Sequence, residues 1–118
     1  MKNQALGARG EDDVMKYLQQ RGCTILDRNW RIKEGEIDLV AQSPDGEIIF
    51  VEVKSRSSRK FGDPLEAVNP VKAQRLQRLA LAWLVTHSAF GRPFRIDCAG
   101  VLYSVDGRNE IDYREGVL

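Results

Sequence analysis

The chain has 118 residues, of which 42% are hydrophobic and 30% are charged, and its formal net charge is +1. This balance is typical of one small globular domain and argues against a disordered chain. Two cysteines and one histidine are too few for a disulfide scaffold, a four-cysteine zinc site or paired-histidine catalysis. No stretch is long and apolar enough to span a bilayer and no apolar signal core opens the sequence, so we expect a cytoplasmic protein with no membrane partner.

The first half of the sequence predicts one helix followed by three strands. The helix runs from about Leu6 to Arg21 and ends at Gly22, a residue that commonly terminates helices. Strands follow at Thr24–Ile32, Glu36–Ala41 and Glu47–Lys54, the last one rich in Ile, Val and Phe. A strand so apolar is expected at the centre of a sheet that is covered on both faces.

The second half predicts a helix and two closing strands. Asn69 is a good N-cap and Pro70 suits the first helical position, so we expect the second long helix to begin there. Phe94–Tyr103 and Glu110–Val117 are predicted strands on either side of an Asp106-Gly107 turn. The order α-β-β-β-α-β-β predicts a single domain, residues 1–118, of the α/β class with a mixed sheet.

Charge is distributed unevenly along the chain. Residues 1–53 carry 7 Lys/Arg and 10 Asp/Glu, whereas residues 54–78 carry 7 Lys/Arg and only 2 Asp/Glu. A basic segment beside an acidic one suits a polyanionic substrate together with a metal ion, and it equally suits an ordinary solvated surface. The cations that we predict to contact nucleic acid are Arg9, Arg56, Arg59, Lys60, Lys72, Arg75 and Arg78.

Two carboxylates are predicted to face each other across the hairpin of the second and third strands. With a three-residue loop of Pro44, Asp45 and Gly46, Asp38 lies opposite Glu52, and Lys54 follows on the same strand face as Glu52. Carboxylates so close repel each other unless a cation or a proton lies between them. The alternative is a Glu52–Lys54 ion pair at a strand end with no catalytic role.

A third carboxylate is predicted on the inner face of the first helix. At helical spacing Glu11 shares the face of Val14 and Leu18, which should dock on the sheet. Glu11, Asp38 and Glu52 are therefore our predicted ligands for Mg²⁺ or Mn²⁺, which prefer hard oxygen donors. We assign Lys54 a role in orienting the attacking water or in offsetting charge on the phosphate.

Several sequence runs resemble one known family over essentially the whole chain. They are Arg9-Gly10-Glu11, Asn29-Trp30-Arg31, Gly35-Glu36-Ile37-Asp38-Leu39-Val40 and Phe50-Val51-Glu52-Val53-Lys54-Ser55-Arg56, followed by Phe61-Gly62, Glu66-Ala67-Val68, Lys72 and Arg75. These runs resemble the YraN-like family of small bacterial proteins. That family is predicted to consist of endonucleases with the restriction-endonuclease-like fold, similar in pattern to archaeal Holliday junction resolvases.

The resemblance implies a function and a site. The PD-(D/E)XK motif of that superfamily corresponds to Asp38, Glu52 and Lys54, and its first-helix acidic residue corresponds to Glu11; Ile37 stands where the motif has Pro. The implied activity is metal-dependent hydrolysis of DNA, with branched or otherwise structured DNA favoured over plain duplex. RNA as substrate and a homodimeric assembly both stay open. The competing hypothesis is a non-catalytic nucleic-acid-binding or scaffolding protein that keeps the fold.

Overall fold

The computed structural model describes residues 4–57 and 69–118, which form two helices and five strands. The elements are α1 (Gln4–Gln20), β1 (Thr24–Ile32), β2 (Gly35–Gln42), β3 (Ile48–Arg56), α2 (Pro70–Thr86), β4 (Phe94–Tyr103) and β5 (Asn109–Arg114). The predicted α/β class and the predicted order of helices and strands are confirmed. Boundaries differ by a few residues, most clearly in β5, which ends at Arg114 rather than at Val117.

The five strands form one sheet in the order β1-β2-β3-β4-β5. Neighbours are antiparallel except β3 and β4, which run parallel from Ile48–Phe94 to Arg56–Leu102. A parallel pair cannot be joined by a tight turn, and the connection from β3 to β4 passes through α2. As predicted, β3 is central, and its first four residues are buried.

The two helices cover opposite faces of the sheet, each above its own apolar cluster. Side chains on the α1 face include Val14, Leu18, Leu39, Ala41, Ile49, Val51, Ala99 and Val101. Those on the α2 face include Ile37, Val40, Ile48, Phe50, Leu79, Trp83, Leu84 and Ile96. Consecutive β3 residues alternate between the two clusters, so both helices pack against this one strand. The packing therefore sets where each helix lies with respect to the C-terminal end of β3.

The predicted helix ends are confirmed. Gly22 follows α1 with φ +85°, a conformation that glycine adopts at little cost. The Asn69 side chain accepts the Lys72 backbone N–H at 3.0 Å, and Pro70 occupies the first turn of α2. None of the helices found within residues 4–57 and 69–118 combines the length and the apolar character that a membrane crossing requires.

β2 departs from the simple alternation of a regular strand. Simple alternation places Ile37, Leu39 and Ala41 on one face, but Ile37 packs with the α2 cluster while Leu39 and Ala41 pack with the α1 cluster. The strand therefore rotates at Asp38. The β1–β2 register is interrupted at the same place: Arg28 pairs with Leu39 and Trp30 with Ile37, and Asn29 and Asp38 between them do not form a regular pair.

Candidate active site

The end of the central strand carries an ion pair. Glu52 and Lys54 lie on the β3 face that looks toward α2, and Lys54 Nζ is 3.1 Å from Glu52 Oε2. Only 15% of the Glu52 side chain and 23% of the Lys54 side chain are exposed. Burial opposes the charge on Lys54, but the Glu52 carboxylate outweighs it and holds the Lys54 pKa above its ordinary value. Lys54 is therefore a permanent cation at neutral pH.

Asp38 lies at the point where β2 and β3 separate. The ladder between these strands runs from Gln42–Ile48 to Leu39–Val51 and stops there, which is the register that the hairpin predicts. Beyond the stop, the Val53 backbone N–H donates to Asp38 Oδ2 at 2.8 Å. The Asp38 carboxylate thus takes the place of a backbone acceptor that the diverging strand no longer supplies.

The surroundings of Asp38 disfavour the charged form of its carboxyl group. Burial first, and then the negative charge of Glu52, raise its pKa to about 8, with smaller contributions from Glu11 and Glu36. The single backbone hydrogen bond from Val53 only partly compensates. A buried carboxyl group beside a second carboxylate keeps its proton at neutral pH or is neutralised by a cation.

Glu11 is on the inner face of α1, as predicted, and 13% of its side chain is exposed. Arg28 Nε at 3.2 Å and Asn29 Nδ2 at 3.1 Å both donate to its Oε1. The helix approaches β3 closely here, because a Cβ built on Gly10 would collide with the Ser55 hydroxyl. A glycine before Glu11 therefore brings this carboxylate near the end of β3.

A cleft of about 230 Å³ opens between the end of β3 and the first turns of α2. Its polar walls are Glu36, Glu52, Lys54, Lys72 and Arg75. Burial and the neighbouring Lys54 ammonium lower the pKa of Lys72. Cations at this density beside a carboxylate pair form a site that would be stabilised by a bound anion such as a phosphate.

Other cations predicted to contact nucleic acid lie elsewhere. Arg9 donates to the Gly107 carbonyl at 2.7 Å and stacks over the Tyr103 ring, so it ties α1 to the β4–β5 turn. Arg78 lines a separate, apolar groove beside Ile32 and Leu81. Arg56 donates to the carbonyl of its own neighbour, Ser55. Arg59 and Lys60 lie outside the described residues.

A three-ligand metal site is not preformed. Across the described ranges, no three His, Cys, Asp or Glu side chains are grouped closely enough to hold an ion together. The structure therefore brings Asp38, Glu52 and Lys54 together and holds Glu11 nearby on its own hydrogen bonds. The roles of these four residues stay a prediction.

Sequence reasoning did not assign a site role to Glu36, Arg28 or Asn29. Glu36 lines the cleft and pairs with Arg31 at 3.2 Å; its position two residues before Asp38 was the available signal. The Arg28 and Asn29 contacts to Glu11 depend on the bend of β1, for which the local sequence has no periodic signal.

Comparison with known proteins gives close relatives across the whole chain. The model of the uncharacterised protein family UPF0102 matches residues 10–101. A UPF0102 protein of Beutenbergia cavernae is 46% identical over 114 residues, which are 96% of this chain and 95% of the relative. A UPF0102 protein of Desulforamulus reducens is 43% identical over 108 residues, covering 91% of this chain and 88% of the relative.

Solved structures give more distant likenesses. A repair endonuclease from Pyrococcus abyssi is 17% identical with a TM-score of 0.48; the match covers 88% of this chain but only 38% of that one. SfsA of Pyrococcus furiosus, solved in complex with Ca²⁺, is 22% identical with a TM-score of 0.42, and the match covers 95% of this chain and 63% of that one.

Proposed function

We propose that this chain, which belongs to the uncharacterised protein family UPF0102, is a nuclease that uses Mg²⁺ or Mn²⁺ to hydrolyse phosphodiester bonds in DNA. Membership confirms the family resemblance that the sequence motifs indicate. The observation that carries the proposal is the pair of neighbouring carboxylates, Asp38 and Glu52, with Lys54 beside Glu52. Glu52 and Lys54 line a cleft that Lys72 and Arg75 also line.

The donor set fits a hard divalent cation. Asp38 and Glu52 offer carboxylate oxygens, and their mutual repulsion, visible in the raised pKa of Asp38, is relieved when a cation binds between them. Such ions commonly use one or two protein carboxylates and keep several waters, so a third direct ligand is not required. When bound, the ion would polarise a phosphoryl oxygen and lower the pKa of a bound water.

The chain's own residues would divide the remaining work. Lys54 is protonated at neutral pH, so it donates to the phosphate and offsets the negative charge that develops there, and it does not act as a base. Lys72 and Arg75 hold phosphate groups in the cleft and give affinity without sequence preference. Glu11, held by Arg28 and Asn29, acts through water rather than as a direct ligand.

The arrangement of these residues specifies a substrate with a phosphodiester backbone and does not distinguish DNA from RNA. We propose DNA, and structured or branched DNA ahead of plain duplex, from the family resemblance. RNA offers the same phosphate chemistry, and a substrate panel separates the two.

The test is a cleavage assay on duplex, flapped, junction and single-stranded DNA and on RNA, with Mg²⁺, Mn²⁺ or EDTA. We expect cleavage with a divalent ion, none in EDTA, and none from Glu52→Gln, a variant whose folding is checked by thermal unfolding. If the wild type binds these nucleic acids but cuts none of them with either ion, the protein is the non-catalytic binding module instead.

A further inference from the structure

Asn29 has a backbone conformation that is unusual for a strand residue. Its φ is +54°, in the left-handed region, and Ser88 is the other non-glycine residue with positive φ in the part of the chain described here. This conformation is unfavourable for a residue with a Cβ, although Asn tolerates it better than most. It also lies in β1 at the position between the Arg28–Leu39 and Trp30–Ile37 pairs, opposite Asp38.

The bend has a specific geometric result. In a regular strand, successive side chains point to opposite faces, so neighbours cannot reach one atom on a helix. Here Arg28 and Asn29 both donate to the same oxygen, Oε1 of Glu11, at 3.2 Å and 3.1 Å. The left-handed residue is therefore what allows two consecutive side chains to hold one carboxylate.

Arg28 fixes the helix as well as the carboxylate. Its guanidinium also donates to Asp12 Oδ1 at 2.6 Å and to the Ala8 carbonyl at 3.0 Å. The second oxygen of Glu11, Oε2, accepts no hydrogen bond from residues 4–57 or 69–118. Glu11 nevertheless contributes to the negative field around Asp38.

We infer that Asn29 is a positioning residue for the proposed metal site: with Arg28 it holds one oxygen of Glu11 and leaves the other to accept a hydrogen bond from a metal-bound water. The inference rests on the proposed function. Residues that orient groups around a metal in this way commonly change metal affinity by 10-fold to 100-fold when they are removed.

The test is Asn29→Gly, measured by thermal unfolding and by calorimetric titration with Mn²⁺. Glycine accepts φ +54° without strain, but it gives up the hydrogen bond to Glu11 and raises the entropy of the unfolded chain, so the variant is expected to unfold close to the wild-type temperature. Loss of the amide is expected to weaken Mn²⁺ binding by on the order of 10-fold. A residue that merely shaped the strand would leave Mn²⁺ affinity unchanged in a protein of near wild-type stability.

Two further variants make the result specific. Asn109→Gly removes a similar amide, which donates to Asp13 Oδ2 at 2.9 Å on the same helix, and should leave Mn²⁺ affinity unchanged. Glu11→Gln should weaken Mn²⁺ binding, and adding Asn29→Gly to it should cause little further loss, because Asn29 acts through Glu11.

The outcomes separate this inference from the proposed function. If the wild type binds Mn²⁺ and Asn29→Gly binds it equally well, or if the two losses simply multiply, the inference is wrong and the nuclease proposal is untouched. If the wild type binds no Mn²⁺ and cuts no nucleic acid with any divalent ion, both are wrong.

Discussion

Replacing Asp38 by Asn should make the protein more resistant to alkaline conditions when no metal is present. The Asp38 carboxyl has a pKa of about 8 in the folded protein, because burial and Glu52 disfavour its charged form. In the unfolded chain an aspartate titrates near 3.9. Between these two values the folded protein keeps a proton that the unfolded chain has lost, so rising pH favours unfolding. Asn removes this dependence and can still accept the Val53 N–H.

The magnitude follows from the same two values. Each pH unit costs about 1.4 kcal/mol, so ionisation would cost the wild type roughly 4 kcal/mol between pH 5 and pH 8. The effective dielectric constant even at buried sites exceeds that of a dry interior, so we expect about half of this cost, ~2 kcal/mol. For a domain of this size, that corresponds to a difference of roughly 8 °C in unfolding temperature.

The measurement is thermal unfolding of both proteins in EDTA at several pH values between 5 and 9. The gap between Asp38→Asn and the wild type should widen with pH and level off above pH 8. Asp112→Asn, at a half-exposed surface ion pair with Arg114, serves as the matched control and should show no such widening. Parallel curves for the wild type and Asp38→Asn would refute the reasoning that Asp38 is buried against a second carboxylate.

Three other changes test separate parts of the structure. Lys54→Met should keep Mn²⁺ binding and the fold but slow cleavage by on the order of 10²-fold, in a single-turnover assay with the wild type as reference; an unchanged rate would make Lys54 a structural residue. Lys72→Ala combined with Arg75→Ala should flatten the slope of log affinity against log salt by about 2, whereas removing an exposed lysine of α1 should not. Gly10→Ala should lower the free energy of unfolding in urea by roughly 1–3 kcal/mol, because the added Cβ would collide with the Ser55 hydroxyl. Adding Ser55→Ala to this variant should restore much of the lost stability.

The parts of the site that follow chain periodicity are predictable from sequence. The alternation of β3 places Glu52 and Lys54 on one face, and the length of the turn after β2 sets the register that brings Asp38 toward Glu52. Both are local properties, determined within about fifteen residues. The inner position of Glu11 likewise follows from helical spacing alone.

The parts that depend on distant contacts were not predictable. Arg9 is one of the cations predicted to contact nucleic acid, and its hydrogen-bond partner in the fold is Gly107, a turn residue near the far end of the sequence. The rotation of β2 that moves Ile37 to the α2 face lies beside Asn29 of the neighbouring strand, whose φ is +54°. In both cases tertiary packing decides the outcome, and a one-dimensional pattern of polar and apolar residues does not contain it.

The separation of β2 and β3 means that the two carboxylates of the site stand on different parts of the sheet. Past Leu39 and Val51, the first residues of β2 pair with β1 and the last residues of β3 pair with β4, and the described residues form no further β2–β3 backbone pair. Asp38 and Glu52 therefore stand on two arms of the sheet, joined across the gap by the Val53–Asp38 hydrogen bond. An ion held by both carboxylates would link the two arms of the sheet. Binding of the ion would therefore also make this end of the sheet more rigid.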